Sequence, residues 1–315
     1  MSFLYLLEKI RNPVLDFMFS AVTHIGEETV FLVFALLFFW CVNKREGYFI
    51  LISGLLGTVI NQALKLLFKI PRPWIRDPSF TIVESARAEA TGYSFPSGHA
   101  QNVTTTFGSV GIYSKRTPVR IISLVIIALV AFSRMYLGVH TPLDVCVSLA
   151  IGAAIVMLLY PIFRDEERFN KFMPFIVCAS VAITVGLTLY VFLMSSDGVD
   201  PHNLASGRKN ACTLLGCTLA LIPVYILDRR YIKFETGAVW YAQVFKFVGG
   251  LIGVLAIKVG LSSPLVSLFG NEYAARSVRY FLIVIFAGGV WPMTFGFFSR
   301  LRIKFLDRLT DKKDR

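Results

Sequence analysis

The chain has 315 residues, 55% of them hydrophobic and 17% charged, with a mean hydropathy of +0.64. That is too apolar for a water-soluble domain of this length and places the chain in a bilayer. The formal net charge is +12, but the basic residues recur in every second loop, so the charge reads as membrane topology and gives little reason to invoke nucleic acid.

A membrane span needs roughly 20 mostly apolar residues, because each helical residue rises about 1.5 Å across a hydrocarbon core about 30 Å thick. The first 23 residues break their apolar pattern with Lys9, Arg11 and Pro13, and they show neither the leading charge nor the cleavage site of a secretory signal. An uncleaved amphipathic or interfacial helix is expected there, with a short span from Val14. Spans follow at Glu28 to Val42 and at Gly47 to Ile70.

The second of these ends in "KLLFKIPRP", where Lys65 and Arg72 stand seven residues apart and so share one helix face, two turns apart. Pro71 and Pro73 end the helix and hold Arg72 at the rim. Snorkelling to the interface accounts for two such cations. Positive charge on the outer side is disfavoured, however, which tilts the pair towards a function. The stretch that follows, "WIRDPSFTIVESARAEATGY", is expected to be an outer loop folding over a pocket, with Trp74 as an interfacial anchor and Arg76 and Arg87 as solvated loop charges.

"SFPSGHA", residues 94 to 100, opens the next span, His99 to Tyr113. Ser94 or Ser97 can cap this helix, Gly98 permits close approach of a ligand, and free N–H groups at a helix N-terminus attract anions. The span Ile121 to Leu137 carries Arg134 near its outer end, where an unpaired cation is costly. In "SRMYLGVHTPLD", Thr141, Pro142 and Asp144 fit the cap, first-turn proline and acid of a helix start, which opens the span Pro142 to Phe163. His140 precedes that start by one residue, with Asp144 four residues on. A carboxylate in reach of one imidazole nitrogen fixes the tautomer and frees the other nitrogen.

The second half continues with spans at Phe172 to Met194, Cys212 to Leu227, Val239 to Val259 and Arg279 to Phe298. Between them lie charged turns at residues 164–172 and 228–235 and an outer loop, "DGVDPHNLASGRKN", that contains His202, Arg208 and Lys209. Lys246 and Lys258, twelve residues apart, read as snorkelling side chains. Cys41, Cys146, Cys178, Cys212 and Cys217 sit in or beside spans without pairing or metal-ligand spacing, as small packing residues do. Lys44 and Arg45, then Lys115, Arg116 and Arg120, then Arg164, Arg168 and Lys171, then Arg229, Arg230 and Lys233, and the tail from Arg300, fall on the cytoplasmic side. The three polar clusters then face outward.

Together those clusters supply three cations (Lys65, Arg72, Arg134), two histidines (His99, His140), one carboxylate (Asp144) and a glycine-containing helix start. These parts suit phosphoryl transfer: cations and N–H groups neutralise phosphate oxygens, one histidine attacks phosphorus, the other protonates the leaving oxygen. The sequence offers no cluster of carboxylates for a metal, so a metal-free and cofactor-free route is the simpler expectation.

Lys65-x6-Arg72-Pro73, Pro96-Ser97-Gly98-His99 and Ser133-Arg134-x5-His140-x3-Asp144 resemble, in order and at every position named, the three-part signature of the type 2 phosphatidic acid phosphatase superfamily. That superfamily includes integral lipid phosphatases, undecaprenyl diphosphate phosphatases, glucose-6-phosphatases and soluble vanadium haloperoxidases. The resemblance implies that His140 is the nucleophile forming a phosphohistidine, Asp144 its orienting partner and His99 the acid for the leaving alcohol. Lys65, Arg72, Ser97, Gly98 and Arg134 would hold the phosphate.

The expected fold is an all-α polytopic membrane helix bundle of about nine transmembrane helices. It comprises a phosphatidic-acid-phosphatase-like core over residues 1–165 and additional helices over 166–315. The expected activity is hydrolysis of a lipid phosphate or diphosphate presented by the bilayer. Undecaprenyl diphosphate, phosphatidic acid, phosphatidylglycerophosphate and a sphingoid phosphate are the substrate classes, and a bacterial inner membrane with the site on its outer face is the expected setting. A lipid-phosphate transporter or binding scaffold using the same cradle, and a phosphotransferase with a non-water acceptor, are the alternatives. For the additional helices a homodimer face, a lipid-tail site and a transport path all remain open.

Overall fold

The computed structural model describes residues 1–195 and 199–301. Among these the chain is all α-helical. The helices are α1 (Ser2–Lys9), α2 (Pro13–Thr23), α3 (Glu28–Leu37), α4 (Lys44–Phe68), α5 (Pro73–Arg76), α6 (Gly98–Tyr113) and α7 (Thr117–Tyr136). They continue with α8 (Pro142–Arg164), α9 (Glu166–Leu193), α10 (Pro201–Leu227), α11 (Trp240–Gly260), α12 (Ser262–Phe269), α13 (Glu272–Ile285) and α14 (Phe295–Arg300). Seven helical stretches are long and apolar enough to cross a membrane, and an eighth is counted when Pro13–Gly26 and Glu28–Val42, bent by 50° at their junction, are taken as one span. The protein is an integral membrane protein.

About nine spans are expected from the sequence, and the difference lies in two places. The expected span at Glu28 is the second arm of the bent pair. The expected span at Arg279 lies within Glu272–Arg300, one of the seven, although π and 3-10 turns interrupt it between Phe286 and Thr294. The second place is α6, whose 16 residues cover only about 24 Å, less than a hydrocarbon core. It can be short because it meets protein on most sides: Gln101, Asn102, Thr104, Thr105, Thr106 and Ser109 are all buried within it. Thr104 and Thr105 return their hydroxyls to the Ala100 and Gln101 carbonyls at 2.6 and 3.1 Å, so these two hydroxyls are satisfied inside the helix.

Two further elements differ from expectation. The outer loop read around residues 197–210 is helical from Pro201, because Asp200 caps the helix through Asn203 N–H (2.8 Å) and proline takes the first turn. Helix α12 was not anticipated.

Contacts divide the chain into two compact units, Met1–Ala35 with Tyr48–Leu215, and Leu36–Gly47 with the residues from Gly216 onward. In the first, α6 packs against α7 and α8. Its N-terminal segment is fastened to the loop after α5: Tyr5 donates to Asp77 (2.7 Å), and Arg11 donates to the carbonyls of Thr81 (2.8 Å) and Tyr136 (3.0 Å). Leu4 and Leu7 are buried there, each stabilising by about 1.5–3 kcal/mol. Trp74, expected as an interfacial anchor, is partly buried and packs against the clusters that contain Phe80, Ala86 and Tyr136. The guanidinium groups of Arg72 and Arg87 lie within 5.9 and 5.5 Å of its ring centroid.

In the second unit, Lys246 does not snorkel. It is 1% exposed, donates to the Thr236 carbonyl (2.9 Å) and lies 4.6 Å from the Phe295 ring centroid. Trp40 Nε1 donates to the Ala287 carbonyl (2.8 Å), and Gly250 leaves room for the Trp40 and Trp291 rings.

Candidate active site

The three polar clusters of the sequence meet in the first unit. Lys65 reaches the site from the last turn of α4 and donates to the Tyr93 carbonyl. Arg72, in the extended link before α5, sends Nε to the Gly92 carbonyl (3.1 Å) and one terminal nitrogen to the Thr91 carbonyl (2.7 Å). Its other terminal nitrogen donates to the Val139 carbonyl (3.0 Å) and lies 2.9 Å from His140 Nε2. The loop that was expected to cover a pocket thus supplies carbonyl acceptors to both cations.

A guanidinium only donates, so the contact with Arg72 makes His140 Nε2 an acceptor and puts the ring proton on Nδ1. Nδ1 stands 3.6 Å from Asp144 Oδ2 and has no other partner. The same Asp144 oxygen accepts the Ser94 hydroxyl (2.7 Å) and the Thr141 N–H (2.8 Å). Thr141 caps α8 in return through the Asp144 N–H (3.3 Å), a reciprocal capping box. Asp144 therefore holds two roles, helix start and partner of His140. Burial, and then the charges of Arg72, Arg134, Lys65 and His99, hold the His140 imidazole well below its ordinary pKa.

Ser97 is the N-cap of α6, and Ser94 serves Asp144 instead. Gly98 follows the cap, and a Cβ there would meet only Asn61 Oδ1, at 4.0 Å. The Cβ side of Gly98 is therefore open. Arg134, 1% exposed, donates to the Thr23 hydroxyl (2.5 Å), while its Nε has no partner. Lys65, Arg72, Ser94, Ser97, Arg134, His140 and Asp144 are all buried. Around His140 three buried cations, Lys65, Arg72 and Arg134, bring positive charge that an anion such as phosphate would offset.

His99, in the first turn of α6, points its Nε2 towards Glu89 Oε2 at 3.7 Å, and that nitrogen is buried without a hydrogen-bond partner. The nearby His99, followed by the charges of His24 and Arg134, keeps the Glu89 carboxyl below the usual carboxylate range against the opposing effect of partial burial. Glu89 also lies 3.4 Å from His24 Nδ1, which bonds Glu27. The sequence reading found no metal cluster, but His24, Glu27 and Glu89 bring one donor atom each within 4.8 Å of one another. His24 and Glu27 lie together in the bend between α2 and α3, and the distant Glu89 reaches them from the loop before α6. Gly26 lets the bend lie close against α6 and α7: a Cβ there would meet Val130 and His99 at 2.8–3.0 Å.

Four further residues of the site lie outside the motifs: Thr23, Asn61, Glu89 and Ser94. Asn61 is 2% exposed, and neither its amide oxygen nor its nitrogen has a partner. Its signal in the sequence is a lone amide in an apolar helix, four residues before Lys65 and so on the same face.

The PAP2 superfamily profile matches residues 46–168, and the profile of the PAP2 superfamily phosphatase, transmembrane extension, matches residues 212–303. Among curated proteins, rat sphingosine-1-phosphate phosphatase 1 is 26% identical over 219 residues, 65% of this chain and 49% of that protein. Phosphatidylglycerophosphatase B of Bacillus subtilis is 28% identical over 178 residues, 51% of this chain and 82% of that protein. The undecaprenyl-diphosphatase of Sulfolobus acidocaldarius is 31% identical over 135 residues, 42% of this chain and 63% of that protein. The chain thus spans about half the length of the rat relative. No solved structure matches it. With the first profile covering the residues from Lys65 to Asp144 and the second covering the later helices, the chain belongs to the PAP2 superfamily of phosphatases, including its transmembrane extension.

Proposed function

We propose that this protein is an integral membrane phosphatase that hydrolyses a lipid phosphate or lipid diphosphate through a phosphohistidine intermediate. The observation that carries the reading is the convergence of Lys65, Arg72 and Arg134 around His140, whose Nε2 lone pair faces a cation and whose Nδ1 faces Asp144. When a phosphate group enters, Lys65, Arg72 and Arg134 and the N–H groups at Gly98 and His99 take its oxygens. Arg72 exchanges the His140 nitrogen for a phosphate oxygen. Nε2 then attacks phosphorus, the bond to the lipid oxygen breaks, and His99 gives that oxygen a proton. Asp144 stabilises the positive charge that develops on His140. Water next cleaves the phosphorus–nitrogen bond with His99 as base, returning inorganic phosphate and the free enzyme.

A lipid substrate fits a site at the ends of apolar helices, where a head group enters while its chains stay in the bilayer. The similarity to a sphingosine-1-phosphate phosphatase, a phosphatidylglycerophosphatase and an undecaprenyl-diphosphatase supports lipid monophosphates and diphosphates as the classes to test. Catalysis belongs to residues 1–165 in this reading, with the site on the outer face of a bacterial inner membrane, and residues 166–315 play a supporting part.

The test is phosphate release by the purified protein in detergent, with excess chelator, across sphingoid, glycerol and isoprenoid lipid phosphates and diphosphates, beside His140→Ala. Chelator-resistant release from wild type that disappears in His140→Ala is the expected result. Release that survives in His140→Ala overturns the assigned nucleophile, and lipid binding without any release moves the reading to a transporter or scaffold.

A further inference from the structure

The bend between α2 and α3 carries His24 and Glu27, and the loop before α6 brings Glu89 to them. His24 Nδ1 bonds Glu27 Oε1 and stands 3.4 Å from Glu89 Oε1. In a tetrahedral zinc site with metal–ligand distances near 2.0–2.1 Å, adjacent donors stand about 3.3–3.4 Å apart, so the imidazole–Glu89 spacing already suits such an ion. Two carboxylates converge on one imidazole, and the three together stay net negative even when His24 is protonated. His24 is 56% exposed, so a simple ion pair there contributes little, and its open side leaves room for a water ligand. The donor set, one imidazole nitrogen and two carboxylates, favours zinc over magnesium or calcium.

A second observation ties this cluster to the chemistry. The remaining oxygen of Glu89 faces the buried, unpartnered His99 Nε2 at 3.7 Å. The same turn of chain supplies Thr23 to Arg134. A cation on Glu89 therefore sits beside the proton donor of the reaction and competes with it for the carboxylate.

We propose that His24, Glu27 and Glu89 form a regulatory zinc site, and that the bound ion draws Glu89 away from His99 and slows turnover. The binding part of this inference stands on the cluster alone; only the effect on rate rests on the function proposed above.

The experiment is calorimetric titration of the chelator-stripped, full-length protein in detergent with zinc chloride, in the presence of millimolar magnesium. One ion per chain is expected, with affinity lowered more than tenfold in His24→Ala and in Glu27→Gln and unchanged in His140→Ala. Equal affinity in wild type and both cluster variants, or no saturable binding, overturns the site. The second readout is turnover: zinc inhibits the wild type, and at least tenfold more zinc is needed to inhibit His24→Ala. Zinc that binds at the cluster without slowing a turning-over wild type overturns the regulatory half. Should the protein hydrolyse no lipid at all, the calorimetric arm still decides the site.

Discussion

In the second unit the buried Lys246 and the half-buried Lys44 each have company of their own. Lys246 donates to the Thr236 carbonyl and faces the Phe295 ring, while Lys44 reaches Asp228 at 2.9 Å and lies 4.1 Å from the centroid of Phe234. In the first unit Lys65, Arg72 and Arg134 are buried together; the carboxylate acting on Lys65 and Arg72 is Asp144, itself turned towards His140, Ser94 and the start of α8, and those acting on Arg134 are Glu89 and Glu27. Arg134 keeps one nitrogen without a partner, and Asn61 keeps its whole amide so. Burial of a charge is therefore not a sign of function in this protein. What sets the first unit apart is gathering: the charges of Arg72, Arg134 and Lys65 all act on one histidine, His140, and Arg134 Nε and the Asn61 amide are left without partners, an arrangement that an anion would satisfy.

The largest expected contrast comes from deleting one cation in each unit. Arg72→Ala or Arg134→Ala should lower the turnover rate by on the order of 100-fold or more, because each removes a donor that acts on developing phosphate charge. Lys246→Met should leave turnover within about twofold and the thermal midpoint nearly unchanged, since an apolar side chain of similar length replaces a buried charge at little net cost. Steady-state rates and melting curves on the same preparations check both. Equal losses in the two units would end the distinction between them.

A smaller effect is expected at Asn61. Asn61→Leu should reduce turnover about tenfold while raising the melting temperature, because a buried amide left unpaired costs about 1–3 kcal/mol in the empty protein. A fall in both quantities would make Asn61 a structural residue.

The mildest effect concerns pH. Since the folded protein holds the His140 pKa below its unfolded value, the neutral, nucleophilic ring persists into the acid range. The acid limb set by His140 should thus lie below the ordinary histidine value of about 6.5. The unfolded chain binds that proton more readily, so this group favours folding above the ordinary value and loses its contribution as pH falls towards the folded one. A rate profile and melting temperatures between about pH 4 and 8 check the two halves.

Much of the site was legible in sequence because its residues announce themselves by cost. Lys65, Arg72 and Arg134 are out of place at outer helix ends, and Ser97 and Thr141 fit the helix starts they were expected to cap. Ser94 and Asn61 were harder to read: a serine in a loop and an amide in a helix have many ordinary uses. Glu89, His24 and Thr23 carried no signal, since their roles depend on the bend between α2 and α3 and on a loop whose path no periodicity describes.

By itself the sequence determined the medium, the order of the long helices and the residues we propose as the phosphate cradle, because hydropathy, capping chemistry and motif spacing are local properties of the chain. Tertiary structure decided that the polar α6 is short and enclosed by protein, that Lys246 is satisfied internally, and that His24, Glu27 and Glu89 gather beside His99. Those outcomes depend on which surfaces meet across long stretches of chain, and such meetings are fixed by helix packing, which no single segment encodes.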